Sequence, residues 1–185
     1  MADDAIDVQA LARDVRYLRD RLDILDCVSR YCRGLDRNDP DLLNAVYHPG
    51  AIDRHGPFLG TREEFVPWAT ELMRGFPGSH HSLTTHICEI DGDVAHAESY
   101  CVFFTVMPEG KPLGCGAARY IDALERRDGR WAIATRVEVI DCIYEVAGSE
   151  WLAPEWTEIK AAADRSDYCY ARPLRAPRPK QSYAG

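Results

Sequence analysis

The chain has 185 residues, 46% apolar and 28% charged, with a formal net charge of −8. That length favours one domain with a sizeable core. The acidic balance gives no electrostatic support for nucleic-acid binding. No stretch approaches the roughly 18–20 apolar residues of a membrane span. The opening "MADDAIDVQA" lacks the basic start and apolar run of a secretory leader, so a cytoplasmic protein is expected.

Residues 8–36 carry apolar side chains at spacings of mostly three, four or seven (Val8, Leu11, Val15, Leu18, Leu22, Leu25, Val28, Leu35), which predicts a long helix weakened near its end by Gly34. "RNDPDLLNAVY" restarts a short helix, with Asp39 as N-cap and Pro40 at its first position. "HPGAIDRHGPFLG" holds three glycines and two prolines and reads as turns around a short strand. "TREEFVPWATELMRG" predicts a third helix, opened by a Thr61–Glu64 capping box and ended by Gly75.

From Ser79 to Val106, and again from Ala117 to Val146, the period is two. The Asp-Gly turns at Asp91–Asp93 and Arg127–Arg130 make each stretch a hairpin, and "PEGKPLGCG" links them. Ala95, Ala97, Ser99, Ala117, Ala118, Ala132 and Ala134 are small residues in these strands. They fit an open cavity, close helix packing or a subunit interface equally well. Residues 1–150 form the expected domain. Residues 151–185 form an extension, with a short helix allowed after Leu152 and then the extended, Pro- and Arg-rich "RPLRAPRPKQ". Helices followed by long antiparallel strands give an α+β domain: a curved sheet against three N-terminal helices, with a pocket between the layers.

Seven cysteines without CxxC spacing read as small core residues in a reducing compartment. No histidine has metal-ligand spacing, so no metal is assigned. A histidine accepts a proton near neutral pH, so His81, where a strand begins, is a candidate base, and the alternative is that His80 or His81 only satisfies the strand end. Asp36 is an acid at a helix C-terminus, a mildly unfavourable place that weighs towards a role beyond exposure to water. Tyr31 can offer a phenol proton to a substrate oxygen. Five helical residues turn the direction by about 140°, so Tyr31 and Asp36 share one cavity only if the helix unwinds near Gly34. Arg136, on a strand with few other charges, either binds an anionic group of the substrate or pairs with an acid such as Glu138 or Asp141. Trp68, Tyr100, Phe103, Phe104 and Tyr120 are candidates for the pocket wall, joined by His55.

Three segments carry a resemblance. "RYCRGLDRNDPDLLNAVYHPGAIDRHGPFLGTREEF", "HHSLTTHICEIDGDVAHAESY" and "ARYIDALERRDGRWAIATRVEVID" resemble the SnoaL-like branch of the nuclear transport factor 2-like superfamily, over roughly Leu18 to Ile143. The motifs are most similar to those of its cofactor-independent lyases, the dehydratases and hexachlorocyclohexane dehydrochlorinase. The resemblance implies a cone-shaped α+β barrel, a homotrimer and an apolar pocket without a cofactor. It implies a histidine base at His81, its supporting aspartate at Asp36, a dehydratase tyrosine at Tyr31 and an arginine at Arg136. One feature departs from the dehydratases: "YCVFFTV" lacks the further acid that some carry there. The implied reaction is loss of water, or carbon–carbon cleavage releasing an aldehyde such as formaldehyde, from a small hydroxylated aromatic or steroidal molecule. An isomerase or cyclase, or a ligand-binding module without catalysis, uses the same fold.

Overall fold

A computed structural model describes residues 6–108, 112–147, 161–173 and 175. Helix α1 (Val8–Asp36) starts where the Asp7 carboxylate accepts the backbone N–H groups of Gln9 and Ala10. It runs unbroken through Gly34, so the condition for Tyr31 and Asp36 to share one cavity is not met. Gly34 instead permits close approach: a Cβ at this position would lie 2.7 Å from Leu43 Cδ2 on α2 (Pro40–Val46). Asp39 caps α2 by accepting the Leu42 N–H. Helix α3 (Arg62–Arg74) opens with the Thr61–Glu64 capping box.

Among the described residues, six strands form one sheet in the order β2-β1-β6-β5-β4-β3. They are β1 (Tyr47–His55), β2 (Phe58–Thr61), β3 (Gly78–Asp91), β4 (Val94–Val106), β5 (Leu113–Arg127) and β6 (Arg130–Val146). The β1–β6 pair is parallel and every other pair is antiparallel, which makes the sheet mixed. Register shifts in the β3–β4 and β5–β6 pairs bend it into a cone-like half-wrap. The sheet is not closed: β2 and β3 are free edges, so the barrel implied above is an open one. At the β5–β6 turn both Asp128 and Gly129 take positive φ, the type I′ geometry that matches strand twist.

Two boundaries differ from the reading of the sequence. The glycine- and proline-rich segment after α2 builds a full nine-residue strand, β1, because its glycines and prolines fall at bends and edges. Strand β5 begins at Leu113, taking in part of the expected linker.

The core lies between the C-terminal half of α1, α3 and the inner sheet face. Ile24, Val28, Tyr31, Leu43, Tyr47 and Phe65 are fully buried. Ala95 and Ala97 belong to this core beside α1 residues, so close helix packing accounts for them. Ala117 and Ala134 are only half-buried. All seven cysteines are free thiols, and Cys27, Cys32, Cys88 and Cys101 are buried. Residues 161–173 dock on the α1–α2 corner: Arg165 pairs with Asp39 and Asp41, and the Tyr170 hydroxyl donates to Asp39 at 2.7 Å. The helix allowed after Leu152 and most of the extended tail lie outside the described residues. No helix among the described residues is long and apolar enough to cross a membrane.

Candidate active site

Helix α1 ends beside the start of β3, and that junction builds the first half of the site. The Asp36 carboxylate receives three donors: the Ser79 hydroxyl at 3.0 Å, the His81 backbone N–H at 3.0 Å and His81 Nδ1 at 2.6 Å. Burial pushes this carboxyl up. The His81 hydrogen bond and charge, the His81 backbone N–H and Ser79 outweigh that and hold it below its ordinary value. Asp36 is therefore a carboxylate, and it fixes the imidazole with Nδ1–H towards itself. Nε2 has no partner among the described residues, and the ring lies against Phe103 with centroids 5.9 Å apart. His80, one residue earlier, is exposed on the other side of the strand.

His81 opens onto a cavity of about 240 Å³ between α3 and the inner sheet face. Phe65, Trp68, Leu72 and Met73 of α3 make one wall, and Phe103, Ile140 and Ile143 make the other. The polar groups that reach it include His81, His55, Glu138 and Thr105. An apolar cavity with a few converging polar groups is the ordinary form of a small-molecule site.

The second half of the site comes from β1 and β6. His55 Nε2 lies 3.1 Å from Glu138 Oε1, and its Nδ1 is 3.3 Å from the Tyr31 hydroxyl. Burial, with the positive charge of Arg136 behind it, pushes His55 down to about 3, so its ring is neutral. Burial and the nearby Asp53 carboxylate push Glu138 up to about 7, against the Gly56 backbone N–H and Arg136, which pull it down. Asp53, beneath them, is raised by burial to about 6 and accepts a 2.5 Å hydrogen bond from Tyr47. His55 and Glu138 are thus a neutral imidazole beside a carboxyl that keeps its proton up to about neutral pH.

Five of the anticipated residues meet here: His81 and Asp36 as a contacting pair, and His55, Trp68 and Phe103 as lining. Tyr31 does not line the cavity. It is fully buried behind it, and its hydroxyl reaches the site only through His55. Arg136 is corrected from the pocket to the core. It is fully buried, donates two 2.7 Å hydrogen bonds to Asp122 on β5, and stacks between Tyr31 and Tyr120 at 4.0 and 4.4 Å. Its partner is neither Glu138, on its own strand, nor Asp141, which pairs with Arg119.

Tyr100 and Phe104 are corrected to the outer sheet face, because period two sends them opposite to Cys101, Phe103 and Thr105. Tyr120 is buried beneath Tyr31 and is not lining. The sequence suggests Glu138 only as an ion-pair partner. Its place in the site follows from the same alternation along β6, which carries Arg136, Glu138 and Ile140 to one face at increasing distance from the core.

Known proteins share this arrangement of chain. Hexachlorocyclohexane dehydrochlorinase LinA-type3 from Novosphingobium barchaimii LL02 superposes with a TM-score of 0.68 at 21% identity, covering 76% of this chain and 99% of that one. A scytalone dehydratase-like protein from Novosphingobium aromaticivorans superposes with a TM-score of 0.65 at 19% identity, covering 74% and 97%. At those identities the likeness is one of fold. In sequence, an uncharacterized protein of Mycobacterium tuberculosis H37Rv is 30% identical over 129 residues, 67% of this chain and 87% of the relative. The model of the SnoaL-like domain matches residues 16–137, from the middle of α1 to the strand that carries Glu138, and on that match the chain belongs to the SnoaL-like family.

Proposed function

We propose that the cavity carries out a cofactor-independent lyase reaction on a small hydrophobic, hydroxylated molecule of the aromatic or steroidal class. The observation that carries this reading is the 2.6 Å contact between Asp36 and His81 Nδ1 at the cavity wall. A ligand-binding module has no use for a buried carboxylate committed to one ring nitrogen of a histidine.

His81 Nε2 takes a proton from the substrate, and Asp36 stabilises the imidazolium that forms. Protonated Glu138 gives its proton to the departing oxygen. In loss of water, a C–H bond yields its electrons to a new C=C bond, the neighbouring C–O bond breaks, and the hydroxide leaves as water with the Glu138 proton. In aldehyde release, the proton comes from a hydroxymethyl O–H, its oxygen forms the C=O of formaldehyde, and the C–C electrons form the alkene as the same C–O bond breaks. Both forms need one base and one acid, and Glu138 fills the place of the acid that "YCVFFTV" does not supply. Solvent exchange afterwards removes the proton from His81 and returns one to Glu138.

The test is a screen of phenolic and steroidal alcohols without added cofactor, followed by His81→Ala and Asp36→Asn on any substrate found. The dyad predicts a loss of roughly 10²–10⁴-fold in kcat for each variant with the fold retained. Turnover at the wild-type rate in either variant would rule it out.

A further inference from the structure

Helix α1 is packed on the domain only along its second half, through Asp20, Ile24, Cys27, Val28 and Tyr31. From Val8 to Arg19 no residue is buried, so about 18 Å of helix stands clear of the domain. Along this free part and one turn beyond it, Val8, Leu11, Val15, Leu18 and Leu22 follow one another at intervals of three, four, three and four, each between 50% and 72% exposed. Leu25 continues the series and is half-buried. Leu22 and Ile24 point about 200° apart around the helix, so this stripe faces away from the domain. Five branched apolar side chains in a row are a patch, unlike the isolated apolar residues normal on a surface. A projecting helix this short is marginal in water without something to pack against.

We propose that this stripe is the seam of a parallel two-stranded coiled coil with a second copy of this chain. Three features select that occupant. The stripe is narrow and strictly heptad-spaced, which suits a helix of the same kind better than a broad globular surface. Its first positions are β-branched in the opening two heptads (Val8, Val15) and its fourth positions are leucine (Leu11, Leu18, Leu25), the combination that favours two parallel strands. Asp14 and Arg19 flank the seam five residues apart. In a parallel pair each Asp14 therefore faces the other copy's Arg19, and neither residue has an ion-pair partner among the described residues. The geometry also permits the pairing. A two-fold axis along the stripe leaves the two domains on opposite outer sides, since each packs on the far face of its own helix.

The experiment is sedimentation velocity on the full chain, wild type beside Leu18→Glu in the seam and Arg13→Glu outside it. Leu11→Cys is tested in parallel for cross-linking under mild oxidation, against a wild-type control for the native cysteines. The expected result is a wild-type particle with an even number of chains, halved in mass by Leu18→Glu and unchanged by Arg13→Glu. Leu11→Cys should cross-link to itself, because an antiparallel pair would hold the two Leu11 positions well apart. A wild-type mass of one or three chains, or a mass that Leu18→Glu leaves unchanged, overturns the proposal. So does a mass lowered by Leu18→Glu when Leu11→Cys fails to cross-link, which would mean that the stripe docks on some other surface, such as a neighbour's outer sheet face. Leu18 is exposed and far from the cavity, so thermal unfolding of Leu18→Glu should remain cooperative and keep fold and assembly separable.

Discussion

Asp122→Asn is the sharpest probe of how the site is supported. Arg136 and Asp122 are both fully buried, with two 2.7 Å hydrogen bonds between them. Arg136 Nη1 has no hydrogen-bond partner among the described residues, so Asp122 is the group seen to hold the guanidinium, aided by the faces of Tyr31 and Tyr120. An asparagine can accept one of the two hydrogen bonds but turns an N–H towards the other and leaves a buried cation without its counter-charge. Breaking a buried pair by removing one partner costs about 3–5 kcal/mol. With a urea m-value of about 2 kcal/mol/M, the unfolding midpoint should fall by about 2 M. Arg136→Met alone should cost a similar amount, because it strands Asp122. The double variant Arg136→Met/Asp122→Leu should recover most of the loss, giving a coupling of about 2 kcal/mol or more. If Asp122→Asn shifts the midpoint by less than about 0.5 M, the guanidinium is balanced elsewhere and Arg136 is not the core cation described above.

Glu138→Gln tests the acid. The folded-state value of Glu138, about 7, lies above its ordinary 4.5. The native protein therefore binds more protons than the unfolded chain between those values, and stability falls as pH rises through that window, by up to about 3 kcal/mol. Urea unfolding at pH 5, 6, 7 and 8 should show this fall in the wild type and a smaller one in Glu138→Gln. Parallel curves would remove Glu138 from the account. His55, depressed to about 3, gives an opposite slope below 6.5 in both proteins, so the difference isolates Glu138. Gly34→Ala gains about 1 kcal/mol of helix propensity but drives a Cβ to 2.7 Å from Leu43 Cδ2, so a net loss of about 1–2 kcal/mol is expected in thermal or urea unfolding. Leu43→Val should make the two changes less than additive, and full additivity would place the crowding elsewhere.

Much of the fold is legible in the order of residues, for identifiable reasons. The limits of α1 follow from a 3.6-residue period and its end at Asp36. Helix α3 follows from a Thr-x-x-Glu box, and the hairpins follow from Asp-Gly pairs. The meeting of His81 with Asp36 is accessible only through resemblance, because a separation of 45 positions along the chain carries no local signal of the contact. Depth along a strand was not accessible at all. Arg136 and Glu138 share a face two residues apart, yet one is sealed beneath three tyrosines and the other reaches the cavity. Alternation tells inside from outside but not how far inside. Strand β1 is hidden in the sequence by its glycines and prolines, although its inward residues Ala51, Asp53 and His55 keep a clean period of two.

The site pairs a histidine with a carboxylic acid twice, and the surroundings set the two pairs in opposite states. Asp36 meets three donors at the α1–β3 junction and is held ionised, which under the proposed reaction suits His81 to the part of base. Glu138 lies beside Asp53 and a histidine kept neutral by burial and by Arg136, so it holds a proton near neutral pH. Environments that push like groups apart are how one cavity comes to contain an acid and a base at the same pH. Under the proposed reaction this fixes the direction of the substrate: the carbon or hydroxyl that loses a proton lies towards His81 and Phe103, and the departing oxygen lies towards Glu138 and β1. The buried Arg136 then acts on the chemistry from behind, without touching the substrate. Its charge favours neutral His55 and, through Asp122 and the tyrosine stack, anchors the strand that presents Glu138.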